Sequence, residues 1–350
     1  MRCMTSSWIR RRGSKRAGFR YVDAAGRAIA ERRALARIDA LRIPPAWRDV
    51  HIAASPRSAV QAWGLDARGR RQYRYHARAV EKRELRKYYR VRQLARELPR
   101  LRRTLHEDAR PRAPAASLDA DAVAATVLRL ISETFCRVGG ERYLRENGTF
   151  GITTLEKPHV ERRGDAVYFE YVGKGNIRQR QAVHDPELVR LVQRQLRTPG
   201  RRLFTYRRKD TWHALTARDV NEYLRRRLGG YSAKDFRTWG GTLRAATVLA
   251  ELGPAKTPAE AKRNVALAMR LVATELGNTP AICRSSYVHP MVVARYLDEG
   301  ETIALSRRRR HARDRGRAHS PEERMLIRFL DRHFPDRRRA PRGEPRREVE

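Results

Sequence analysis

The spacing of apolar residues changes partway along the chain, and this change most restricts what the chain can fold into. From residue 8 to about residue 76, short apolar segments such as Phe19–Val22, Val50–Ala53 and Val60–Trp63 alternate with turns that carry Gly or Asp. This pattern predicts β-strands joined by hairpins. From about 77 to 105, Leu and Tyr recur every three or four residues among dense arginines, which predicts one or more basic amphipathic helices.

A Pro- and Ala-rich run at 109–116 interrupts the helical pattern. Because proline and clustered small residues break regular structure, we predict a linker there. After the linker, Ser117 is the expected N-cap of a helix whose apolar residues keep helical spacing as far as Phe135. Arg137 is expected at the far end of that helix.

A small antiparallel sheet is predicted next. Its strands are expected at Phe150–Leu155 and Val167–Val172, followed by a glycine-flanked turn that carries Lys174 and a polar strand that ends at Val183. Three further helices are predicted from their starting signals, which are a capping side chain followed by proline or an acidic residue. These signals stand at Asp185, Ser232 and Thr257.

These patterns predict an α+β protein with a strand-rich N-terminal lobe and a mostly helical lobe that contains a small antiparallel sheet. We place the N-terminal lobe at 1–108, the linker at 109–116 and the helical lobe at 117–305. The remainder, 306–350, is rich in arginine and low in complexity, so we expect it to be largely disordered apart from a short helix from Pro321 to Phe334.

The charge of the chain indicates its partner. A formal charge of +39 over 350 residues, with a pI near 11.4, favours a polyanion, above all nucleic acid. Ribosomal, chromatin and membrane-surface proteins are equally basic, so the charge indicates a class of partner and no reaction. No apolar run approaches the ~18 residues that span a bilayer, and the N-terminus has no apolar signal core, so we expect a cytoplasmic protein.

The cysteines are few and far apart. Cys3, Cys136 and Cys283 have no metal-ligand spacing. They are expected to be free thiols in a reducing compartment, with neither a disulfide nor a zinc site.

Five side chains of the second unit have the chemistry to cut a phosphodiester without a metal ion. They are Arg137, Lys174, Arg237, Asn278 and Tyr287. A phenol with a pKa of ~10 needs cations to ease its attack on phosphorus, and guanidiniums stay protonated and bind phosphate through two N–H groups. The departing oxygen needs a proton, which a lysine can be tuned to give, and the Asn278 amide can donate one hydrogen bond to a phosphate oxygen.

Each of these residues alone has a simpler explanation. Among sixty-nine arginines, Arg137 alone would be assigned to a helix end and Arg237 to stacking on a neighbouring ring. Lys174 alone would be a solvated turn residue, Asn278 a helix cap and Tyr287 a core tyrosine. Only their occurrence together and in this order favours a catalytic site.

That order resembles the catalytic domain of the poxvirus-type DNA topoisomerase IB family, especially its bacterial members. The resembling motifs are Phe135–Thr154, Val172-Gly173-Lys174, Lys234–Thr238 and Thr279–Tyr287. The segment Gly64–Tyr75 also resembles the family's DNA-contacting strand, so the resemblance spans about residues 20 to 300.

The resemblance implies a reaction and a role for each residue. Tyr287 would take the 3′ phosphate as a phosphotyrosine, Arg137 and Arg237 would stabilise the transition state, and Lys174 would be the general acid. Supercoiled duplex DNA would be relaxed by transient cleavage of one strand and religation, with no ATP, metal or other cofactor. Asn278 departs from the family pattern, because the viral enzymes and many relatives have histidine there. The position would therefore serve the phosphate by hydrogen bonding rather than by proton transfer.

The resemblance also implies a clamp of two lobes around duplex DNA. In the N-terminal lobe, Arg70, Gln72, Tyr73 and Tyr75 are the expected contacts to base edges or phosphates, although inward packing in the sheet explains at least one of the two tyrosines equally well. We expect a monomer associated with the nucleoid, with no membrane or small-molecule partner.

Two other functions stay open on the sequence alone. A tyrosine site-specific recombinase would share the catalytic set, but it would have a helical core-binding domain in place of the strand-rich N-terminus. A non-catalytic basic DNA-compacting protein would bind DNA with a steep salt dependence but would form no covalent adduct.

Overall fold

The computed structural model describes residues 8–110, 118–305 and 318–334. The chain forms two compact units, and the division falls between Lys87 and Tyr88, within the helix α2 (Ala77–Ala109). Most of the predicted linker and most of the arginine-rich tail lie outside the described residues, so the domain bounds inferred from the sequence stay a prediction.

The first unit is a five-stranded antiparallel sheet with one face covered. Its strands are β1 (Trp8–Ser14), β2 (Gly18–Val22), β3 (Arg48–Ala53), β4 (Val60–Leu65) and β5 (Arg71–Tyr75), in the order β2-β1-β3-β4-β5. Helix α1 (Arg32–Ala40) places Ile38 in a small core with Ile9 and Ile52. The sequence patterns do not predict β1 or α1, because β1 has a single buried apolar residue among its arginines and α1 is only nine residues long.

The predicted basic helices are one continuous helix, α2, which contains Pro99. In the second unit, the apolar residues of α2 at three-to-four spacing are fully buried, among them Leu94, Leu98 and Leu105. The spacing of these leucines in the sequence is thus the spacing of one buried helix face.

The second unit is mostly helical. Its helices are α3 (Ala120–Thr134), α4 (Glu141–Asn147), α5 (Pro186–Leu196), α6 (Ala217–Leu228), α7 (Ala233–Leu252), α8 (Pro258–Leu276), α9 (Pro280–Ser286), α10 (Pro290–Glu299) and α11 (Pro321–His333). Its strands are β6 (Val160–Arg163), β7 (Ala166–Gly173) and β8 (Ile177–Val183) in one antiparallel sheet, and β9 (Thr205–Arg208) and β10 (Thr211–Ala214) in a hairpin. This architecture confirms the predicted α+β class.

The predicted helix starts at Asp185, Ser232 and Thr257 are confirmed. Two local predictions are wrong. The cap of α3 is Asp119, whose carboxylate accepts from the backbone N–H of Ala122 at 2.7 Å, whereas Ser117 lies outside the described residues. Phe150–Leu155 is not a strand but contains a 3₁₀ turn, Ile152–Thr154, because the N–H groups of Ile152 and Thr153 bond to the segment that follows α3.

The short helix predicted near the C-terminus is α11, and it is part of the second unit. Glu323 on α11 is buried and accepts hydrogen bonds from Arg102 at 2.8 Å and from the Trp239 indole at 3.4 Å. Trp239 lies on α7, so α11 packs on that helix. None of the helices in the described ranges has the length and apolar character needed to cross a membrane.

Candidate active site

The end of α3 positions Arg137. The helix stops at Phe135, whose backbone is in the left-handed region at φ 53°, so the chain turns sharply before Arg137. The carbonyl of Arg137 accepts from Ile152 N–H at 2.8 Å, and that of Val138 accepts from Thr153 N–H at 2.9 Å. Arg137 therefore lies three residues beyond the helix, on a segment whose backbone is fixed by hydrogen bonds.

The Arg137 guanidinium reaches the corner between α8 and α9. Its Nη2 donates to the Gly277 carbonyl at 3.0 Å and to Asn278 Oδ1 at 2.5 Å. Because a guanidinium can only donate, the amide oxygen of Asn278 must be the atom that faces it. The Asn278 NH₂ group is left with one long contact, to the Leu276 carbonyl at 3.5 Å, and so keeps a donor for another acceptor.

The corner at Gly277 requires glycine for two reasons. Its φ is +58°, the left-handed conformation that ends α8. A Cβ there would also lie 2.2 Å from the side-chain amide of Gln179, a buried residue of β8. The β7–β8 hairpin therefore packs directly against the corner that carries Asn278.

Arg237 lies on α7 and is almost completely buried, with 4% of its surface exposed. Its Nη2 donates to the Leu276 carbonyl at 2.9 Å and its Nη1 donates to the Phe135 carbonyl. Arg237 Nε is buried and has no hydrogen-bond partner within the described parts of the chain. The guanidinium carbon is 5.1 Å from the centre of the Tyr287 ring, so α7 brings a fixed cation to the tyrosine.

Two glycines of α7 allow Phe135 and Tyr287 to approach that helix. A Cβ at Gly240 would be 2.4 Å from the Phe135 ring, and one at Gly241 would be 3.0 Å from the Tyr287 carbonyl. The next residue, Thr242, donates its hydroxyl to that same carbonyl at 3.2 Å. The sequence analysis missed these positions, although a Gly-Gly pair inside a helical pattern is a signal of close packing.

Lys174, unlike the buried Arg237, lies at the protein surface. It is exposed in the β7–β8 turn, and its amine lies 5.6 Å from the centre of the Tyr143 ring. In the described residues it has no hydrogen bond or ion pair. The base of its turn is near the site all the same, because a Cβ at Gly173 would be 2.8 Å from the side chain of Gln179. The structure thus brings together Arg137, Arg237, Asn278 and Tyr287, with the Lys174 turn beside them but its amine outside their contacts.

The charge at this cluster is positive. Burial lowers the pKa of Arg137, and the nearby Arg237 lowers it further, but a guanidinium remains protonated near neutral pH. Burial also raises the pKa of Cys283, one helical turn before Tyr287, to about 11, and it raises the pKa of Cys136. Both cysteines are buried free thiols and carry no negative charge that would oppose an anion.

The predicted DNA-binding residues lie on or next to β5, which is an edge strand of the first sheet. Tyr73 and Tyr75 are exposed, with 42% and 41% of their surface accessible, and their rings stack with centres 5.8 Å apart. Gln72 and Arg70 instead donate to the Asp66 carboxylate at 2.9 and 2.8 Å. Partial burial acts to raise the pKa of Asp66, but these hydrogen bonds hold it at about 2.

Among the side chains that the structure describes, no group of three or more His, Cys, Asp or Glu residues is placed to hold a metal ion. The strongest concentration of functional groups is the cluster of two guanidiniums, one amide and one phenol. Such a cluster can bind an anion and stabilise further negative charge on it.

Comparison with known proteins assigns this chain to a family. A model described as Eukaryotic DNA topoisomerase I, catalytic core, matches residues 76–312, and one described as Bacterial DNA topoisomerase IB, N-terminal domain, matches residues 18–66. The DNA topoisomerase 1B of Acanthamoeba polyphaga mimivirus is 30% identical over 274 residues, which cover 76% of this chain and 80% of that protein. The DNA topoisomerase 1B of Vaccinia virus (strain Copenhagen) is 25% identical over 253 residues, which cover 70% of this chain and 74% of that protein.

Proposed function

The chain belongs to the type IB DNA topoisomerase family, and on that basis we propose that Tyr287 is the nucleophile that cuts one strand of its DNA substrate. The protein is an isomerase that changes the topology of duplex DNA. The observation that supports the assignment of the site is the convergence of Tyr287, Arg237, Arg137 and Asn278 from four separate segments of the chain.

In the proposed reaction, the Tyr287 phenolic oxygen attacks a backbone phosphorus and the bond from phosphorus to the 5′ oxygen breaks. The phosphate stays on the 3′ side as a phosphotyrosine, and the 5′ oxygen leaves as a hydroxyl after it takes a proton. Attack of that hydroxyl on the phosphotyrosine reverses the step and restores the strand. One phosphate ester replaces another, so the swivelling strand can be resealed without ATP.

The two guanidiniums stabilise the phosphate as negative charge builds on its oxygens. Arg237 is fixed by the carbonyls of Phe135 and Leu276, and Arg137 by the corner at Gly277, so neither needs to reorganise during the reaction. Fixed donors in a poorly hydrated site stabilise a transition state more than mobile, solvated ones. The Asn278 NH₂ group, turned outward by Arg137, donates to a non-bridging oxygen.

Lys174 is the proposed general acid. Its amine is on an exposed turn whose base packs on Gln179, beside the Gly277 corner, so it can reach the departing 5′ oxygen when DNA is bound. Catalytic hydrogen bonds often form only in the complex with substrate. Its ring partner Tyr143 is itself half exposed and leaves the amine accessible.

Recognition of the duplex is proposed for β5. Tyr73 and Tyr75 are exposed to contact bases or phosphates, and the Asp66 carboxylate orients Arg70 and Gln72 beside them. Because β5 lies at the edge of its sheet, side chains on both of its faces can enter a groove.

The two other functions considered from the sequence are not favoured. The match of residues 18–66 to the N-terminal domain of bacterial type IB topoisomerases opposes a recombinase, which would have a helical core-binding domain at that place. The match of residues 76–312 to a catalytic core opposes a protein that only compacts DNA.

The test is relaxation of supercoiled plasmid in EDTA by the unaltered chain and by Tyr287→Phe. We expect relaxation and a covalent protein–DNA adduct only from the unaltered chain, because phenylalanine has no oxygen to join to phosphorus. Tyr296→Phe is the matched control, since Tyr296 is buried and its hydroxyl bonds to Asn264 and the Gly253 carbonyl. Equal relaxation by Tyr287→Phe and the unaltered chain would refute the assignment.

We further propose a monomer that acts at the nucleoid in the cytoplasm, since all five catalytic side chains come from one chain. Sedimentation of the protein alone and with a short duplex tests this.

The arginines of 306–350 are proposed to add nonspecific affinity for DNA, and this segment lies mostly outside the described residues. Because α11 packs on α7, the test replaces Arg307–Arg310 with alanine rather than deleting the segment. An unchanged salt slope of DNA binding would refute the role.

A further inference from the structure

The sheet of the first unit has one face that α1 does not cover, and aromatic side chains lie across its centre. Trp63 stacks on His51 with ring centres 4.0 Å apart, and Trp8 meets the edge of Trp63 at 6.4 Å. Arg71 lies over the Trp63 ring at 4.1 Å. Trp63 is paired with Tyr73 in the strand register, so this open face is the one that presents the exposed tyrosines of β5.

The same face continues onto the β1–β2 hairpin, where it carries arginines. Arg10 is paired with His51, and Arg12, two residues along β1, is paired directly with Arg20 of β2. Because side chains two apart on a strand share a face, Arg10 and Arg12 lie on the side of His51. All three arginines are exposed.

Within the described ranges, the cations of this hairpin form no ion pair with a carboxylate. Lys15 and Arg16 add two more charges at its turn, and residues 8–22 contain no Asp or Glu. Across the described residues, no ion pair involves Arg10, Arg12, Lys15, Arg16 or Arg20. Like charges placed directly opposite on two strands destabilise the pair, so the hairpin keeps an unfavourable arrangement that an anion would relieve.

The three-stranded sheet of the second unit provides a contrast. There Arg163 pairs with Glu161 at 2.7 Å, and Arg178 pairs with Glu170. Two arginines of that exposed sheet are therefore paired with carboxylates, whereas no ion pair of the described residues involves the arginines of the β1–β2 hairpin; the Asp49 carboxylate on the neighbouring strand bonds to His51 at 2.9 Å. The unpaired set is on the face that also carries Tyr73 and Tyr75.

We propose that Arg12 and Arg20, with Arg10 beside them, bind the phosphate backbone of the duplex whose groove receives β5. The inference rests on the proposed role of β5 in DNA binding. Three to four strand spacings separate β5 from β1 and β2, about 14 to 19 Å. A hairpin that far from the centre of a groove roughly 12 Å wide lies outside that groove, where the duplex presents its phosphate backbone rather than major-groove base edges.

The experiment measures how the dissociation constant for a short duplex depends on salt, in a Tyr287→Phe background that prevents covalent capture. Each lost phosphate contact lowers the slope of log Kd against log salt by about 0.9. For Arg12→Ala with Arg20→Ala we expect a slope lower by about 1.8. The matched control is Arg32→Ala with Arg33→Ala, which removes the same charge from exposed positions of α1, on the other side of the sheet.

Arg12→Lys with Arg20→Lys should keep the slope of the parent protein, because lysine also releases counterions from phosphate. The proposal would be overturned if the double alanine variant of the hairpin and that of α1 changed the salt slope equally. It would also be overturned if the double lysine variant of the hairpin lowered the slope as much as the double alanine variant. If the double alanine variant of the hairpin binds DNA normally but no longer binds phosphatidylserine vesicles, the surface binds membranes and the proposal is overturned. Absence of a covalent adduct from the chain with Tyr287 intact would refute the catalytic proposal separately.

Discussion

The two kinds of cation at the candidate site differ in how they are held. Arg237 is 4% exposed and bonded to two backbone carbonyls, and Arg137 is bonded to a third carbonyl and to Asn278. Lys174 is exposed at the tip of a hairpin, where its amine lies over the Tyr143 ring. The difference matches the two proposed tasks, because charge stabilisation benefits from rigid donors, whereas a proton donor has to meet an oxygen that arrives with the substrate.

The largest effect on strand cleavage is expected at Arg237. Arg237→Lys keeps the charge but cannot reach both the Phe135 and Leu276 carbonyls, so we expect strand cleavage to slow by about 10³-fold and the free energy of unfolding to fall by about 1–3 kcal/mol. Single-turnover cleavage and urea unfolding measure the two effects. Arg244→Lys on the same helix is the control, since its ion pair with Glu275 is half exposed. A fully active Arg237→Lys variant would show that catalysis does not need the two hydrogen bonds that hold the guanidinium.

Lys174→Ala should slow cleavage by about 10²-fold without changing stability, because the side chain is exposed. A substrate with sulfur in place of the departing 5′ oxygen should restore the rate, since a thiolate leaves without needing a proton. Lys209→Ala, in the exposed β9–β10 turn, should have no effect. If sulfur does not rescue Lys174→Ala, the lysine is not the general acid and acts on the phosphate charge instead.

Asn278→Ala should slow cleavage about ten-fold, the loss of one hydrogen bond worth about 1.4 kcal/mol. Asn278→His should retain activity, and its rate should not fall as pH rises through the imidazole pKa of about 6.5, because the neutral ring still donates one N–H. Asn147→Ala, an exposed residue at the end of α4, is the control. A rate for Asn278→His that falls above pH 6.5 would mean that this position needs a positive charge.

The smallest effect on the chemistry is expected at Gly240. A methyl group there would lie 2.4 Å from the Phe135 ring, so Gly240→Ala should lower the free energy of unfolding by about 1–3 kcal/mol and slow cleavage only a few-fold by displacing the carbonyl that holds Arg237. Gly230→Ala, where no atom lies within 4 Å of the added carbon, should be neutral. Equal stability of the two variants would show that α7 does not need its glycine for packing.

Much of the fold could be predicted from the sequence because it depends on local signals. Proline and capping side chains mark the starts of α5, α7 and α8, and the spacing of apolar residues predicts the buried face of α2. The failure at Phe150–Leu155 has a non-local cause. The segment Phe150–Leu155 alternates like a strand, yet the N–H groups of Ile152 and Thr153 bond to the residues after α3, and no pattern within the segment records that partner.

For the site, the five residue types in order were sufficient to propose the chemistry. The sequence could not supply the contacts that hold them, such as the Gly240 approach to Phe135 or the side chain of Gln179 between Gly173 and Gly277. These contacts join residues far apart in the chain. The catalytic roles of the five residues stay predictions, which the variants above test.

The amino-acid sequence by itself determined the α+β class, indicated a polyanionic partner and supplied the proposed reactive groups, because composition, periodicity and side-chain chemistry are properties of the chain. Only the tertiary structure decided that Arg237 is buried against two carbonyls while Lys174 is exposed, and that Arg12 lies opposite Arg20 with neither in an ion pair of the described residues. Burial and pairing depend on which distant segments pack together, and that packing sets how rigidly each charge is held.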